Sequence, residues 1–536
     1  QSKKKELTME SFTEFTTLGD LLIKSASKFG SNPLIVFPDQ RISYEELKHR
    51  AYQRAQALVA HDIGPGSHIG ILMANCIEYI EYLFAAQFVG AMAVPINARY
   101  KAPELAYVLD NADIELLVTH DAISEYANFG QLIDDALVEK TSEKLRHLIM
   151  LGEKRRGFIS DEAFLIKGKT VDSKTVDEMR SQVSLRHPAI MMYTSGTTAN
   201  PKGCPLNHEV LVRNGVNMNK SRYFLDESDR FWAPLPMFHM ASILPLICCM
   251  DAGAALLSML HLEPELSLKM MEKERATVAF PSFPTITMEM INHPFFSKAD
   301  LSSLKRINNV APPELLRNFQ EAFPQAVQTG AYGLTEAGGV IAYNHPNDSL
   351  EKRLNTCGKP MPGLLAKVID PETLIEQTRG NKGEIVLKGY SVFDGYYKAP
   401  EKNKESFIDG WFRTGDLGVI DSDGHIEFHG RIKDMLKVGG ENVAAIEIES
   451  LLSTHPVVNI AQVIGVHDER LFEVACAYIE LLEGKSITAA EIIDFCKGKI
   501  ASFKIPRHVR FVDEWPMSST KIQKYVLRDW FEKETE

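Results

Sequence analysis

The sequence predicts an α/β protein that continues into a strand-rich subdomain and a small mixed C-terminal module. Through the first two-thirds of its 536 residues, short β-branched runs alternate with helical patterns, which is typical of parallel sheets covered by helices. A βαβαβ order begins the chain, with strands at 68–73, 93–96 and 115–118 and helices at 77–87 and 102–111. The length exceeds what one compact core supports and indicates roughly three to four domains or subdomains.

The alternation resumes further along the chain and then changes twice. A helix from His208 and strands near Phe231 and at 277–280 continue the α/β pattern. Past about residue 350, Gly and Asp turns separate short strands, which predicts a β subdomain. The last segment mixes helices with strands and is long enough to fold as a unit. We therefore predict an N-terminal domain over 1–430, with the β subdomain at about 350–430, and a C-terminal domain over 431–536.

The composition is that of a globular protein in a reducing compartment. Hydrophobic residues make up 45% and charged residues 24% of the chain, which is ordinary for such proteins. The net charge of -12 argues against a nucleic-acid partner, because such binding needs a basic surface. Seven cysteines fall at no disulfide or metal spacing, which favours a cytoplasmic location. The apolar stretch 241–260 is broken by Pro245, Asp251 and Gly253, so we predict buried core and no membrane span.

The run 193–203, Tyr-Thr-Ser-Gly-Thr-Thr-Ala-Asn-Pro-Lys-Gly, is the most informative stretch of the chain. Hydroxyls, flexible backbone amides and one cation can converge there on an anion, which predicts a loop that holds phosphates. It is not a Walker A loop, because Pro201 precedes the lysine and Gly203 follows it. Composition alone leaves a solvated polar turn as an equal alternative. The candidate phosphate ligands are Thr194, Ser195, Gly196, Thr197, Thr198 and Lys202.

Four further motifs corroborate the loop and carry a resemblance to a known family. They are AYGLTEAGG at 331–339, GWFRTGDLG at 410–418, GRIKDMLKVGGENV at 430–443 and the late Lys521. With these motifs in register over nearly the whole chain, the sequence resembles the adenylate-forming superfamily of acyl-CoA synthetases, peptide-synthetase adenylation domains and beetle luciferases. The resemblance implies a large N-terminal domain of two helix-flanked sheets plus a β subdomain, followed by a mobile α+β C-terminal domain.

The resemblance also implies a nucleotide site that uses ATP and Mg²⁺. Adenylation joins a carboxylate to the α-phosphate of ATP and expels pyrophosphate, so the site must stabilise charges as they redistribute. Glu336 would hold Mg²⁺, which prefers oxygen ligands, although alone it would more often be a solvated acid. Asp416 would accept both ribose hydroxyls, and Arg431 would add a fixed positive fork nearby. Tyr332 would stack on adenine in a nucleotide-contacting run with Ala331 and Gly333, and Thr335 would bond the α-phosphate.

The acyl pocket and the C-terminal domain supply the remaining candidates. The resemblance places His239 at the gate of the acyl pocket, where the alternative is a simple core histidine. No aspartate stands there to pair an ammonium, so a free amino acid is not the expected substrate. Lys521 would bridge the carboxylate and the α-phosphate, and Lys433 would be the hinge about which the domain rotates. Gly439 and Gly440 would line a tunnel for the pantetheine arm of coenzyme A.

These assignments predict an AMP-forming acyl-CoA synthetase that acts on a small carboxylic acid with ATP and coenzyme A. A ligase that delivers the acyl-adenylate to a carrier protein and a luciferase-like oxygenase stay open as alternatives. A serine hydrolase is disfavoured, because the run at 389–393 fails the last position of Gly-x-Ser-x-Gly. Small and apolar residues around the pocket favour a short to medium aliphatic or a compact aromatic acid. A homodimer is compatible with the sequence.

Overall fold

The computed structural model describes residues 16–194, 200–438, 441–518 and 521–535. The α-helices are α1 (Leu18–Phe29), α2 (Tyr44–Ala60), α3 (Ile77–Phe88), α4 (Ala102–Asn111), α5 (Phe129–Glu139), α6 (Asp161–Gly168), α7 (Ser173–Ser181), α8 (His208–Met218), α9 (Met240–Ala252), α10 (Pro264–Lys273), α11 (Pro284–Asn292), α12 (Pro313–Ala322), α13 (Leu350–Asn355), α14 (Pro400–Ser406), α15 (Ala445–Ser453), α16 (Ala489–Cys496) and α17 (Lys524–Thr535).

The β-strands are β1 (Pro33–Val36), β2 (Arg41–Ser43), β3 (His68–Leu72), β4 (Met92–Pro95), β5 (Leu116–His120), β6 (His147–Leu151), β7 (Ile159–Ser160), β8 (Pro188–Thr194), β9 (Lys202–Asn207), β10 (Arg230–Trp232), β11 (Ala255–Leu257), β12 (Val278–Ser282), β13 (Arg306–Asn309), β14 (Val327–Thr329), β15 (Ala331–Tyr332), β16 (Ala342–Tyr343), β17 (Lys359–Pro360), β18 (Leu364–Ile369), β19 (Lys382–Gly389), β20 (Phe407–Ile408), β21 (Trp411–Ile420), β22 (Ile426–Arg431), β23 (Met435–Val438), β24 (Glu441–Ala444), β25 (Val458–Asp468), β26 (Phe472–Leu481), β27 (His508–Phe511), β28 (Met517–Ser518) and β29 (Lys521–Ile522).

Two seven-stranded sheets organise the N-terminal domain in the described part of the chain. One has the order β7-β6-β5-β3-β4-β8-β9 and is parallel except for the β8–β9 pair. The other has the order β14-β13-β12-β10-β11-β1-β2 and is parallel except for the β1–β2 pair. Strands β5 and β12 are buried along their whole length, as expected where helices cover both faces. The predicted α/β class is thereby confirmed.

The helices begin and end where the sequence supplies the appropriate signals. Helix α2 opens with a capping box in which the Ser43 hydroxyl and the Glu46 carboxylate exchange bonds with backbone amides. Asn207 caps α8 by accepting from the amide of Val210. The apolar stretch predicted to be core forms α9 and β11, and nearly all of its side chains are buried. Among the described residues, none of the helices combines the length and apolar character that a membrane crossing requires.

The later part of the chain forms separate, smaller sheets. Strands β18, β19, β20, β21 and β22 build an antiparallel sheet that corresponds to the predicted β subdomain. Strands β23 to β27 form another sheet, with α15 and α16 packed on one apolar cluster and α17 on a second. The C-terminal domain thus has its own core, whereas one continuous cluster joins the two large sheets. The boundary between residues 430 and 431 stays a prediction.

The topology gathers several loops at one edge of a sheet. Strands β10, β12, β13 and β14 are mutually parallel, so the segments that follow them leave from the same edge. Ligands of α/β proteins bind outside these carboxyl ends. The segments contain His239, Phe283, Val310 and Ala331 respectively, which places the predicted acyl-pocket gate and the 331–336 motif at the same edge.

Candidate active site

The phosphate loop joins two antiparallel strands at the edge of the first sheet. Thr194 ends β8 and lies directly opposite Lys202 at the start of β9. Burial lowers the pKa of Lys202, and the charges of Lys402 and Lys433 act in the same direction, while Glu336 opposes them. The charges of Lys202 and Glu336 therefore interact with each other. The loop residues Ser195, Gly196, Thr197 and Thr198 and the tunnel residues Gly439 and Gly440 lie outside the described residues.

Tyr332, Asp416 and Arg431 form a connected polar group. The Tyr332 hydroxyl donates to Asp416 Oδ2 at 2.7 Å, and Arg431 Nε lies 2.9 Å from Asp416 Oδ1. Asp416 and Arg431 are cross-strand partners on β21 and β22. Burial raises the pKa of Asp416, although the Arg431 charge and the Tyr332 bond oppose that rise. Oδ1 is buried, and although it pairs with the Arg431 charge it accepts no well-aligned hydrogen bond from a described residue, so it retains the acceptor capacity that a ribose hydroxyl needs.

A bulge in β21 holds the Asp416 carboxylate in place. The Thr414 hydroxyl accepts from the Asp416 amide at 3.0 Å and donates to a carbonyl of β19 at 2.7 Å. Gly415 has a φ of 70°, which favours glycine, and its amide donates to Glu384 at 3.1 Å. Glu384 is buried and pairs with Arg413 at 2.7 Å. The Thr-Gly-Asp motif is thus a bulge within β21, and its contacts fix the carboxylate that the sequence predicts to bind the ribose.

The segment that contains Tyr332 is tightly packed. A Cβ on Gly333 would lie 1.8 Å from the carbonyl oxygen of Gly339, so only glycine fits there. Thr335 and Glu336 follow in a short 3₁₀-helix. The Tyr332 ring is buried, and its centroid lies 6.0 Å from that of Phe428. No motif pointed to Phe428, because a single aromatic residue on a strand gives no signal of its own.

The Glu336 carboxylate has a partner that no motif indicated. The Tyr396 hydroxyl donates to Glu336 Oε1 at 2.8 Å. Burial and the negative charge of Glu336 raise the pKa of Tyr396, so the phenol stays protonated and remains a donor. Glu336 and the neighbouring Thr335 hydroxyl are oxygen donors of the kind that Mg²⁺ prefers. These residues therefore fit a hard divalent cation.

His239 is uncharged at neutral pH in this setting. It stands at the N-cap of α9, and its ring centroid lies 5.0 Å from that of Phe238. Burial lowers the pKa of His239 to about 4, and the positive charges of Lys521 and Arg99 add to the effect. Arg99, in the segment after β4, was not predicted. Lys521, which belongs to the C-terminal domain, therefore interacts electrostatically with His239, the predicted gate of the acyl pocket.

Lys521 lies within the electrostatic reach of the nucleotide residues. Desolvation by the surrounding residues of the cleft lowers the pKa of Lys521. The charge of Arg431 adds to this decrease, while the charges of Glu336 and Asp416 oppose it. Water still reaches the side chain, which is exposed. The predicted hinge, Lys433, sits in a 3₁₀-helix directly after β22, and burial followed by Arg431 lowers its pKa. The structure thus brings together the charges of both lysines, the Tyr332–Asp416–Arg431 group and Glu336.

Comparison with known proteins identifies the family. The AMP-binding enzyme family matches residues 22–397, and its C-terminal domain matches residues 447–521. The chain belongs to the AMP-binding enzyme family. It is 36% identical to the putative acyl-CoA synthetase YngI of Bacillus subtilis (strain 168), over 96% of this chain and 97% of that protein. It is 31% identical to the mitochondrial medium-chain acyl-CoA ligase ACSF2 of Mus musculus, over 97% of this chain and 88% of that protein.

Solved structures of family members share the whole architecture. The anthranilate CoA ligase AuaEII in complex with anthranoyl-AMP has a TM-score of 0.88 at 27% identity, covering 98% of this chain and 99% of that one. ATP-bound MatB from Rhodopseudomonas palustris has a TM-score of 0.83 at 26% identity, covering 97% and 100%. With the relatives above, these matches make the protein an AMP-forming acid–thiol ligase of the acyl-CoA synthetase type.

Proposed function

We propose that the protein joins a carboxylic acid to ATP as an acyl-adenylate and then transfers the acyl group to coenzyme A. The observation that carries the proposal is the position of Lys521. This residue comes from the far end of the chain, yet it interacts electrostatically with Glu336, Asp416 and Arg431. An ammonium at this point lowers the repulsion between two anions that must meet in line.

In the first step, a carboxylate oxygen attacks the α-phosphorus, and the bond to the bridging oxygen of the departing pyrophosphate breaks. Lys202 would bind the β- and γ-phosphates, together with Thr194 and the loop that follows it. Asp416 would orient the ribose through Oδ1, which is buried and has acceptor capacity. Thr335 would bond the α-phosphate. Lys521 would offset the charge that develops around the reacting oxygens.

Mg²⁺ would bind at Glu336. The proposal is supported by the carboxylate and hydroxyl oxygens of the Thr335–Ala337 turn, which are ligands of the kind that Mg²⁺ prefers. When bound, the cation supplies positive charge that neutralises phosphate oxygens. Glu336 contributes the carboxylate, and Tyr396 orients it through the bond to Oε1.

In the second step, the thiolate of coenzyme A attacks the acyl carbon and AMP leaves with the pair of electrons from the cleaved C–O bond. Lys433 would serve as the hinge about which the C-terminal domain rotates, so that a different face of this domain meets the site in the second step. Gly439 and Gly440 would line the pantetheine tunnel. The names of YngI, ACSF2 and AuaEII favour coenzyme A over a carrier protein as the acceptor.

The acid itself would have an uncharged tail of small or medium size. His239 is neutral because its pKa is lowered to about 4, and Phe238 beside it is largely buried. Relatives named for medium-chain acids and for anthranilate are consistent with a short to medium aliphatic or a compact aromatic acid.

Pyrophosphate release tests the proposal when it is measured with and without coenzyme A over a panel of carboxylic acids. We expect acid-dependent release from ATP and an acyl-CoA product when coenzyme A is present. Pyrophosphate release with no thioester under any condition would favour transfer to a carrier protein. Oxygen-dependent light from the adenylate would favour the luciferase-like alternative. Failure of every acid to release pyrophosphate would contradict adenylation itself.

We also propose a reducing, cytoplasmic location, because all seven cysteines are free thiols. Imaging of the tagged full chain tests this proposal, and accumulation in mitochondria, as the name of ACSF2 indicates for that relative, would contradict it. A homodimer stays a prediction that sedimentation can test.

A further inference from the structure

Residues 393–397 lie in the connection between β19 and α14, and we call them the brace loop. The loop contacts both sides of the phosphate site. The Phe393 amide donates to the Glu336 carbonyl at 2.8 Å, and the Tyr397 amide donates to the Gly203 carbonyl at 2.9 Å. The Tyr396 hydroxyl donates to Glu336 Oε1 at 2.8 Å. One short segment is therefore bonded to the proposed cation ligand and to the residue that follows Lys202.

The brace loop is fixed by contacts that do not involve Glu336. The Asn403 side chain accepts from the Tyr396 amide at 2.7 Å and donates to the Tyr396 carbonyl at 3.0 Å. The Phe393 ring is buried and packs edge-on against Phe412 and the Tyr396 ring. Gly395 has a φ of 133°, and a Cβ there would lie 2.9 Å from Asn403. The fold thus sets the position of the Tyr396 hydroxyl in advance.

We propose that Tyr396 is a positioning residue for the divalent cation. Its hydroxyl occupies Glu336 Oε1 and leaves Oε2 as the oxygen that binds the metal. A carboxylate held in this way loses less rotational freedom when the cation binds, and partners of this kind tune metal affinity elsewhere. The inference rests on the proposed role of Glu336 as the Mg²⁺ ligand.

The test measures metal binding directly, with Mn²⁺ as the probe. Electron paramagnetic resonance reports Mn²⁺ bound to the full chain in the presence of a non-hydrolysable ATP analogue. Tyr396→Phe removes the hydroxyl and keeps the ring against Phe393. Tyr52→Phe is the matched control, because the Tyr52 hydroxyl donates to the Asp177 carboxylate on distant helices. Glu336→Gln removes the proposed ligand itself.

We expect Tyr396→Phe to weaken Mn²⁺ binding by about tenfold, Glu336→Gln to weaken it further, and Tyr52→Phe to leave it unchanged. Thermal unfolding without nucleotide, recorded first, sets a temperature at which every variant is folded. If Tyr396→Phe binds Mn²⁺ as tightly as the parent while Glu336→Gln loses binding, the role of Tyr396 is overturned and the proposed cation site at Glu336 stands. Parent-like binding by Glu336→Gln would overturn the proposed cation site and the inference with it.

Discussion

The proposed nucleotide half of the cleft, which contains Tyr332, Asp416 and Arg431, and the proposed catalytic Lys521 are built in opposite ways. Asp416 is almost fully buried and is fixed by Tyr332 at 2.7 Å and by Arg431 at 2.9 Å. Lys521 is exposed and is carried by the two-stranded β28–β29 sheet. We call the first part the fixed half, and under the proposed function it would bind a nucleotide without rearrangement, since its polar groups are already oriented. The lysine can leave the cleft without breaking that network, as a two-step ligase requires.

The apolar cores of the two domains are also separate from each other. A single apolar cluster joins both large sheets and part of the β subdomain, whereas the C-terminal sheet has two clusters of its own. A domain with its own core can move as a unit. We infer from this difference that binding and catalysis are divided between a part with a shared core and a separable part, and the predictions below test that division.

Replacement of Lys521 should have the largest effect. Lys521→Ala removes the ammonium from the cleft, and we expect adenylation to slow by about 10²–10³-fold, as for loss of one transition-state contact. Acyl-CoA formation from supplied acyl-AMP should be spared. Pyrophosphate release and the isolated thioester step measure the two reactions separately. Lys497→Ala, which removes an exposed lysine of the same domain, is the control, and equal loss of both steps would contradict the division.

Replacement of Asp416 should damage the fixed half. Asp416→Asn removes the negative charge that faces Arg431 and replaces one of the two carboxylate oxygens by an amide NH₂ group, which cannot accept a hydrogen bond. We expect ATP to bind about 100-fold more weakly, in line with loss of charged hydrogen bonds. Equilibrium binding of an ATP analogue measures the change. Asp423→Asn, at the exposed turn between β21 and β22, should bind as the parent does. Parent-like binding by a folded Asp416→Asn protein would show that Asp416 is not the ribose acceptor.

The pH dependence of stability should report the burial of His239 and the effect of the Lys521 charge on it. Burial lowers the folded pKa of His239 to about 4, below its value of about 6.5 in the unfolded chain. The neutral form is therefore favoured on folding, and stability is lost as pH falls through this window. At pH 5 the loss is at most about 2 kcal/mol, because water reaches part of the ring.

Denaturant titrations at pH 7 and pH 5 measure this loss, and His239→Gln should remove it. The comparison with the variant is needed because His208, whose pKa is also lowered to about 4 by burial, contributes with the same sign. Lys521→Ala should raise the pKa of His239, since one positive neighbour is gone. The same pH dependence in the parent and in His239→Gln would show that the ring is hydrated in the folded protein.

The sequence predicted the parts of this arrangement that depend on local patterns. Helix α4 occupies the predicted residues 102–111, and the buried parallel strands coincide with β-branched runs. Strand β21 spans 10 residues and is longer than the short strands that the sequence predicts for this region, because Gly415, Gly418 and the buried Asp416 interrupt the alternation that marks a strand. The Tyr396–Glu336 bond joins residues far apart in sequence. It depends on how the brace loop folds, and no local pattern encodes that.

The hinge should give the smallest effect and the finest test of the comparison. Asp434 directly follows Lys433 in the sequence. Its Oδ1 atom lies 3.5 Å from the Arg528 guanidinium on α17, and both side chains are partly exposed. This pair anchors the predicted hinge to the last helix of the C-terminal domain. Because exposed pairs contribute about 0.2–1 kcal/mol, Arg528→Ala should slow adenylation by no more than about fivefold.

Affinity for the ATP analogue should not change in Arg528→Ala, because the ion pair of Arg528 in the described part of the chain is with Asp434 and not with Asp416. Single-turnover adenylation and equilibrium binding, measured on the same preparation, separate the two quantities. Lys497→Ala breaks a comparable exposed pair with Asp494 and should alter neither. If Arg528→Ala instead weakened nucleotide binding at an unchanged adenylation rate, the two halves would be coupled through the hinge, and the nucleotide site could not be treated as independent of the domain that moves.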